Sequence, residues 1–99
     1  MAVKDIATVF TTTGHSVIGS RYERSLYEDD KSMLEDFKND IALQFKTYNE
    51  FDGEIETFAV IVKDDDDGTV CQKAFTTTDE GPIDKDEIIE YVEGFFEEQ

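Results

Sequence analysis

Residues 54–76 read EIETFAVIVKDDDDGTVCQKAFT, a pattern typical of two β-strands joined by a polar hairpin loop. The first strand is expected over 54–63, and its centre, Phe58 to Val62, is apolar on both faces. Such a run is characteristic of a strand in the middle of a sheet. Gly68 can adopt the positive φ that the loop needs, and the returning strand is expected over 69–76.

The segment before this hairpin has the period of an amphipathic helix. Ser32 and Glu35 have the spacing of a capping box, which predicts a helix over 32–48. An earlier start would place Asp29 and Asp30 near the first turn, where carboxylates interact favourably with the helix dipole. Five apolar residues recur at steps of three and four and should form the packing face. They are Leu34, Phe37, Ile41, Phe45 and Tyr48.

The last segment carries strong helix signals. Asp84 suits the N-cap and Glu87 the third helical position, so a helix is expected from 85 to about 97. One face should be apolar, with Ile88, Tyr91, Val92, Phe95 and Phe96. The opposite side aligns four carboxylates, which we call the acidic stripe: Asp86, Glu90, Glu93 and Glu97.

The N-terminal segment is expected to form a second hairpin, with strands over Ile6–Thr12 and Ser16–Tyr22 and a turn at Thr13-Gly14. A short helix over 3–10 is the alternative, since the apolar residues there also fit helical spacing. The order is therefore ββαββα, or βαββα if the start is frayed. We expect one α+β domain spanning 1–99, with an antiparallel sheet of about four strands and two amphipathic helices on one face.

Negative charge dominates the composition and is concentrated in the second half. The chain has 25 Asp plus Glu against nine Lys plus Arg, a net charge of -16. Residues 1–49 carry eight acids and six bases, whereas residues 50–99 carry seventeen acids and three bases. Direct binding to nucleic acid or to an anionic membrane is therefore disfavoured, and a cationic partner is expected.

The compartment is expected to be the cytoplasm. A single cysteine, Cys71, fits a reducing environment. No apolar run approaches the ~20 residues of a membrane span, and the first ten residues lack the order of an export signal. If a phage encodes the protein, that compartment is the host cytoplasm.

No pattern indicates catalysis, a cofactor or a resident metal, so we expect a protein that is not an enzyme. One His and one Cys supply too few ligands for a structural zinc site. An EF-hand loop around Gly68 would need acids where Lys63 and Ala74 stand. A solvated loop tip is expected instead, with weak binding of divalent ions as the alternative. Its acids are Asp64, Asp65, Asp66 and Asp67.

The acidic stripe suggests mimicry of a phosphate backbone. Its members advance about 6, 4.5 and 6 Å along the axis at ~1.5 Å per residue, a spacing that resembles one strand of phosphates. The expected partner-binding residues are Asp86, Glu87, Glu90, Glu93 and Glu97, together with Asp64, Asp65, Asp66 and Asp67. Four further acids extend this surface if the fold brings them to the same side: Glu54, Glu56, Asp79 and Glu80.

The sequence thus predicts an acidic DNA-mimic, or charge-mimic, inhibitor encoded by a phage. It would bind the basic nucleic-acid-binding surface of a host protein such as a restriction, CRISPR or other nuclease, a polymerase or a repressor. An immunity or antitoxin protein is one alternative, with aromatic anchors such as Tyr22, Tyr27 or Phe51. A virion or assembly accessory protein that forms a symmetric oligomer is another. The sequence leaves the target and the oligomeric state open.

Overall fold

Four strands and two α-helices follow one another in the order ββαββα, which confirms the predicted class and order. The computed structural model describes residues 3–51, 53–64 and 68–97. The elements are β1 (Val3–Thr12), β2 (Val17–Glu23), α1 (Asp30–Phe51), β3 (Ile55–Asp64), β4 (Val70–Thr76) and α2 (Lys85–Glu97), with a short 3₁₀ turn, Arg24–Leu26, between β2 and α1.

The strands form one antiparallel sheet in the order β2-β1-β3-β4. The apolar strand β3 lies between β1 and β4, as its sequence predicts. The alternative of a helix over 3–10 is wrong, because β1 pairs along its length with both β2 and β3. Its side chains alternate accordingly, with Ile6, Thr8 and Phe10 buried. The backbone groups that a helix would satisfy internally are used by the two neighbouring strands.

Both helices pack on the same face of this sheet, which we call the inner face. α1 lies over β1 and β2, where the Phe37 ring meets Tyr22 edge to face at 5.4 Å between centroids. α2 lies over β4, where the Tyr91 ring meets Phe75 at 6.2 Å. The core between the layers includes Ile6, Phe10, Tyr22, Met33, Phe37, Ile41, Ile55, Phe58, Val60, Val62, Ile88 and Val92. The opposite side of the sheet, the outer face, carries neither helix.

The start of α1 differs from the capping box that its sequence suggests. The helix begins at Asp30, and the backbone N–H of Ser32 donates to Asp29 Oδ1 at 2.8 Å. Asp29 therefore satisfies the first turn, and Ser32 lies inside the helix. This N–H holds the pKa of Asp29 below its usual value. Met33, one turn before Phe37, is also fully buried, although the helical pattern did not identify it.

The predicted start of α2 is confirmed. The helix begins at Lys85, and the N–H of Asp86 donates to Asp84 Oδ1 at 2.9 Å, as expected of an N-cap aspartate. Gly68 has a φ of 73°, as the hairpin loop requires. In the N-terminal hairpin the positive φ falls on His15, at 72°, one residue after the predicted Thr13-Gly14 turn. Neither described helix has the length and apolar character needed to cross a bilayer.

Candidate acidic interaction surface

The acidic stripe lies along the exposed side of α2, with one exception. Asp86, Glu90 and Glu97 are exposed. The Glu93 side chain is only 31% exposed, and one of its carboxylate oxygens lies 3.2 Å from Lys38 Nζ of α1. The acidic stripe is therefore exposed to solvent except at Glu93, which lies where α2 packs against α1. There, one of the four charges is partly neutralised within the molecule.

The remaining carboxylates of α2 are poorly balanced by bases. Lys85 Nζ lies 3.1 Å from Asp86 Oδ1, but the Asp86 side chain is 70% exposed, so this pair has little energetic weight. Within the described part of the chain, no Lys or Arg forms an ion pair with Glu87, Glu90 or Glu97. These three glutamates present nearly their full charge to solvent.

A second group of acids lies at the N-terminal end of α2. Glu80, Asp84 and Glu87 line one shallow cleft together with Thr76 at the end of β4. The cleft is shaped by a tight turn in which Thr78 and Gly81 exchange backbone hydrogen bonds of 3.1 and 3.0 Å. The acids that follow the β3–β4 hairpin thus lie beside the start of α2.

Two acids at the start of β3 also lie at this end of the molecule: Glu54, which precedes the strand, and Glu56 within it. Glu56 is the extra residue of a β-bulge, since Thr11 pairs with Thr57 while Thr12 pairs with Ile55. The carbonyl oxygen of Glu56 accepts the N–H of Thr77 at 3.1 Å, which holds the chain after β4 beside it. Glu54, Glu56, Asp79 and Glu80 are all exposed. The fold therefore brings these acids to the end of the sheet where α2 begins.

Asp64, predicted to bind a partner from the β3–β4 hairpin loop, does not lie in the loop. Asp64 is the last residue of β3, where it pairs with Val3 of β1 and is only 7% exposed. Its N–H donates to the carbonyl oxygen of Thr69 at 2.8 Å. Asp64 is therefore built into the sheet and does not offer its side chain to a partner. Asp65, Asp66 and Asp67 lie outside the described residues.

The aromatic anchors proposed for an immunity protein are mostly engaged inside the molecule. Tyr22 is buried, and its hydroxyl donates to Asp40 Oδ2 at 2.8 Å. Burial, followed by this carboxylate, raises the pKa of Tyr22 far above its usual value. The Tyr27 hydroxyl donates to Asp36, and desolvation together with that bond raises the pKa of Tyr27 to about 12. The side chain of Phe51 lies outside the described residues.

Other side chains that could carry chemistry are packed against their neighbours in the fold. Cys71 is partly buried on β4. On the same strand, Lys73 Nζ lies 5.0 Å from the Phe75 ring centroid and 5.4 Å from that of Tyr91, which indicates cation–π contacts. Burial raises the pKa of Tyr91. Over the described ranges, no group of three His, Cys, Asp or Glu side chains is placed to hold a metal ion.

Comparison with known proteins adds no relative. No family model, no curated protein and no solved structure matches this chain.

Proposed function

We propose that this protein is an acidic charge-mimic inhibitor that occupies the basic nucleic-acid-binding surface of another protein. The observation that carries the proposal is the exposed side of α2, where Glu87, Glu90 and Glu97 lie without a basic partner among the described residues. Such a surface costs stability through mutual repulsion in the folded state, and this cost is offset when a cationic surface binds it.

The spacing of the charges supports a partner that binds phosphates. Asp86, Glu90 and Glu97 lie about 6 and 10.5 Å apart along the axis at ~1.5 Å per residue. Phosphates on one DNA strand advance about 3.4 Å each, so the helix offers a carboxylate for roughly every second or third phosphate. Glu80 and Asp84, which line the cleft with Glu87, add negative charge near the start of this row. A groove lined by Lys and Arg would contact the row as it contacts a nucleic-acid strand.

The proposed class of target is a nuclease of the restriction or CRISPR type, a polymerase or a repressor. The inhibitor would act in the cytoplasm of a phage-infected host, where such proteins work and where Cys71 stays reduced. Association would be fast, because long-range attraction steers the two proteins together, and it would weaken steeply with salt.

Two glutamate triples of equal charge test the proposal. The first variant changes Glu87, Glu90 and Glu97 to Gln, and the control changes the exposed Glu28, Glu35 and Glu50 to Gln. Tagged forms of both variants and of the unchanged chain are used to capture proteins from a bacterial lysate. Bound proteins are then eluted with duplex DNA or with about 0.5 M salt, at which the Debye length is only a few ångströms.

We expect the unchanged chain and the control to retain a nucleic-acid enzyme or repressor that duplex DNA displaces. The α2 variant should lose this protein. Equal loss from both variants would show that total charge rather than the α2 surface binds, and a captured partner that resists both DNA and salt would contradict charge mimicry.

A further inference from the structure

The outer face of the sheet differs in composition from the rest of the surface. Strand register places sixteen residues on it in four rows that cross the strands. They are Val17, Thr11, Thr57, Thr76; Gly19, Val9, Ala59, Ala74; Arg21, Ala7, Ile61, Gln72; and Glu23, Asp5, Lys63, Val70. The two middle rows are made mostly of small or aliphatic side chains. Val9 is 44%, Val70 56% and Val17 71% exposed, so the face is open to solvent.

Five of the eight polar side chains of this face pair with one another. The hydroxyls of Thr11 and Thr57, at one end, lie at hydrogen-bond distance across β1 and β3. At the other end, the Arg21 guanidinium lies 3.3 Å from Asp5 and 3.2 Å from Glu23. Thr76, Gln72 and Lys63 have no such partner among the described residues of the face, so a surface packed against it must leave their polar ends in contact with water.

The charge of the face is also unlike that of the whole chain. Its sixteen positions hold two acids, Asp5 and Glu23, and two bases, Arg21 and Lys63, so their formal charges cancel. The whole chain carries -16. The unbalanced carboxylates of α2 lie on the far side of the sheet, behind the helix layer.

From these observations we propose that the outer face binds the outer face of a second copy of this chain, forming a two-fold sheet-on-sheet dimer. A twisted four-stranded face is complementary to another with the same twist, and packed sheets of this kind align within about 30°. The balanced charges of the face allow two such acidic chains to meet there with little direct repulsion. In this arrangement the two α2 surfaces point outward on opposite sides. The inference goes beyond the proposed inhibitor and stands independently of it.

The extent of the face indicates a weak dimer. Four strands about 4.8 Å apart and seven residues long at ~3.3 Å each cover roughly 19 by 23 Å, or about 440 Å² per copy. The two footprints together measure about 900 Å², which is small beside the ~1,200–2,000 Å² of accessible surface that stable complexes bury. The remaining charge repulsion acts over a Debye length of about 8 Å at physiological salt. We therefore expect a dimer that forms at high protein concentration and that salt strengthens.

Sedimentation equilibrium over a protein concentration series tests the proposal. The unchanged chain should pass from 11.3 kDa toward twice that mass, and a change from about 50 mM to 500 mM salt should shift the transition to lower concentration. Val9→Lys places a charge in the centre of the face and should keep the chain at its monomer mass. Ala74→Lys, on the exposed part of β4, is a second variant of the same kind if Val9→Lys does not fold.

Leu43→Lys is the matched control, since Leu43 is 63% exposed on α1, on the helix side of the sheet. It should leave dimer formation unchanged. A chain that remains monomeric up to about 1 mM would overturn the proposal, as would a dimer that Leu43→Lys disrupts and Val9→Lys does not. The salt response separates this inference from the inhibitor proposal, because salt should strengthen the dimer and weaken binding to a basic partner.

Discussion

The inner and outer faces of the sheet are built from alternate residues of the same strands, yet their side chains have opposite character. Phe58 points inward, is fully buried and stacks on Phe10 with 5.4 Å between ring centroids. Ala59, the next residue, lies on the outer face between Val9 and Ala74. Large aromatic side chains thus occur where helices must be held, and small ones occur where no part of the described chain covers the sheet.

Charge follows the same division. The outer face has equal numbers of acids and bases, whereas the helix side presents the carboxylates of α2. Because the sheet and helix layers separate the two regions, one protein can carry a neutral apolar surface and a strongly acidic one without mixing them. The two proposals use these regions separately, with a basic partner on the acidic side and a second copy on the neutral face.

The largest expected difference between the faces is in stability. Phe58→Ala should lower the free energy of unfolding by about 3–5 kcal/mol, because it removes a buried ring and leaves a cavity between β3 and α1. Ala59→Ser, one residue away, should change it by less than about 0.5 kcal/mol, since the site is partly open to water. Urea denaturation followed by circular dichroism measures both. Similar losses for the two variants would show that the faces are equally buried in solution.

Much of the fold could be predicted because local patterns and long-range pairing agree. The apolar run of β3 indicated a central strand, and the Asp84 cap marked the start of α2 to the residue. The pattern cannot show that one face of β3 stays uncovered. An apolar residue in the sequence gives the same strand signal whether a helix covers it or it faces solvent. That difference depends on where both helices pack, which is a property of the whole chain.

For the acidic stripe, the helical period predicts which residues share a side of α2 but not which of them contact another element. Period alone placed Asp86, Glu90 and Glu97 on the exposed side. The pairing of Glu93 with Lys38 depends on the packing of α2 against α1, for which the sequence has no local signal. The burial of Asp64 likewise follows from its pairing with Val3 across the sheet, although four consecutive aspartates looked like a solvated loop.

A smaller difference is expected between Arg21 and Tyr22, which are neighbours on β2 that point to opposite faces. Tyr22→Phe should lower the free energy of unfolding by about 1.5–3 kcal/mol at neutral pH, because it removes a hydrogen bond to the Asp40 carboxylate. Arg21→Gln should change it by less than about 1 kcal/mol, because the Arg21 side chain is 62% exposed.

The pH dependence of Tyr22→Phe provides a second readout. The pKa of Tyr22 is raised in the folded state, so the folded chain keeps a proton that the unfolded chain loses above pH ~10. This contribution to stability is complete below pH ~10 and declines as the pH rises above it, by up to about 1.4 kcal/mol per pH unit. The difference in free energy of unfolding between the unchanged chain and Tyr22→Phe should therefore become smaller above pH ~10, as measured by urea titrations. A constant difference would mean that the Tyr22 hydroxyl ionises as readily in the folded chain as in the unfolded one.

The smallest expected effects concern two threonines of β1 and have opposite signs. Thr8 is 1% exposed on the inner face, and its hydroxyl has no hydrogen-bond partner among the described residues. Thr8→Val keeps the shape and removes the unsatisfied group, so it should raise the free energy of unfolding by about 1 kcal/mol. Thr11→Val breaks the hydroxyl pair with Thr57 on the outer face, where water can replace it, and should lower the value by no more than about 0.5 kcal/mol. The urea concentration at the midpoint of unfolding should rise for Thr8→Val and fall slightly for Thr11→Val, with the m-value unchanged in both. A destabilised Thr8→Val would mean that the inner face satisfies this hydroxyl and is less purely apolar than its neighbours Ile6 and Phe10 indicate.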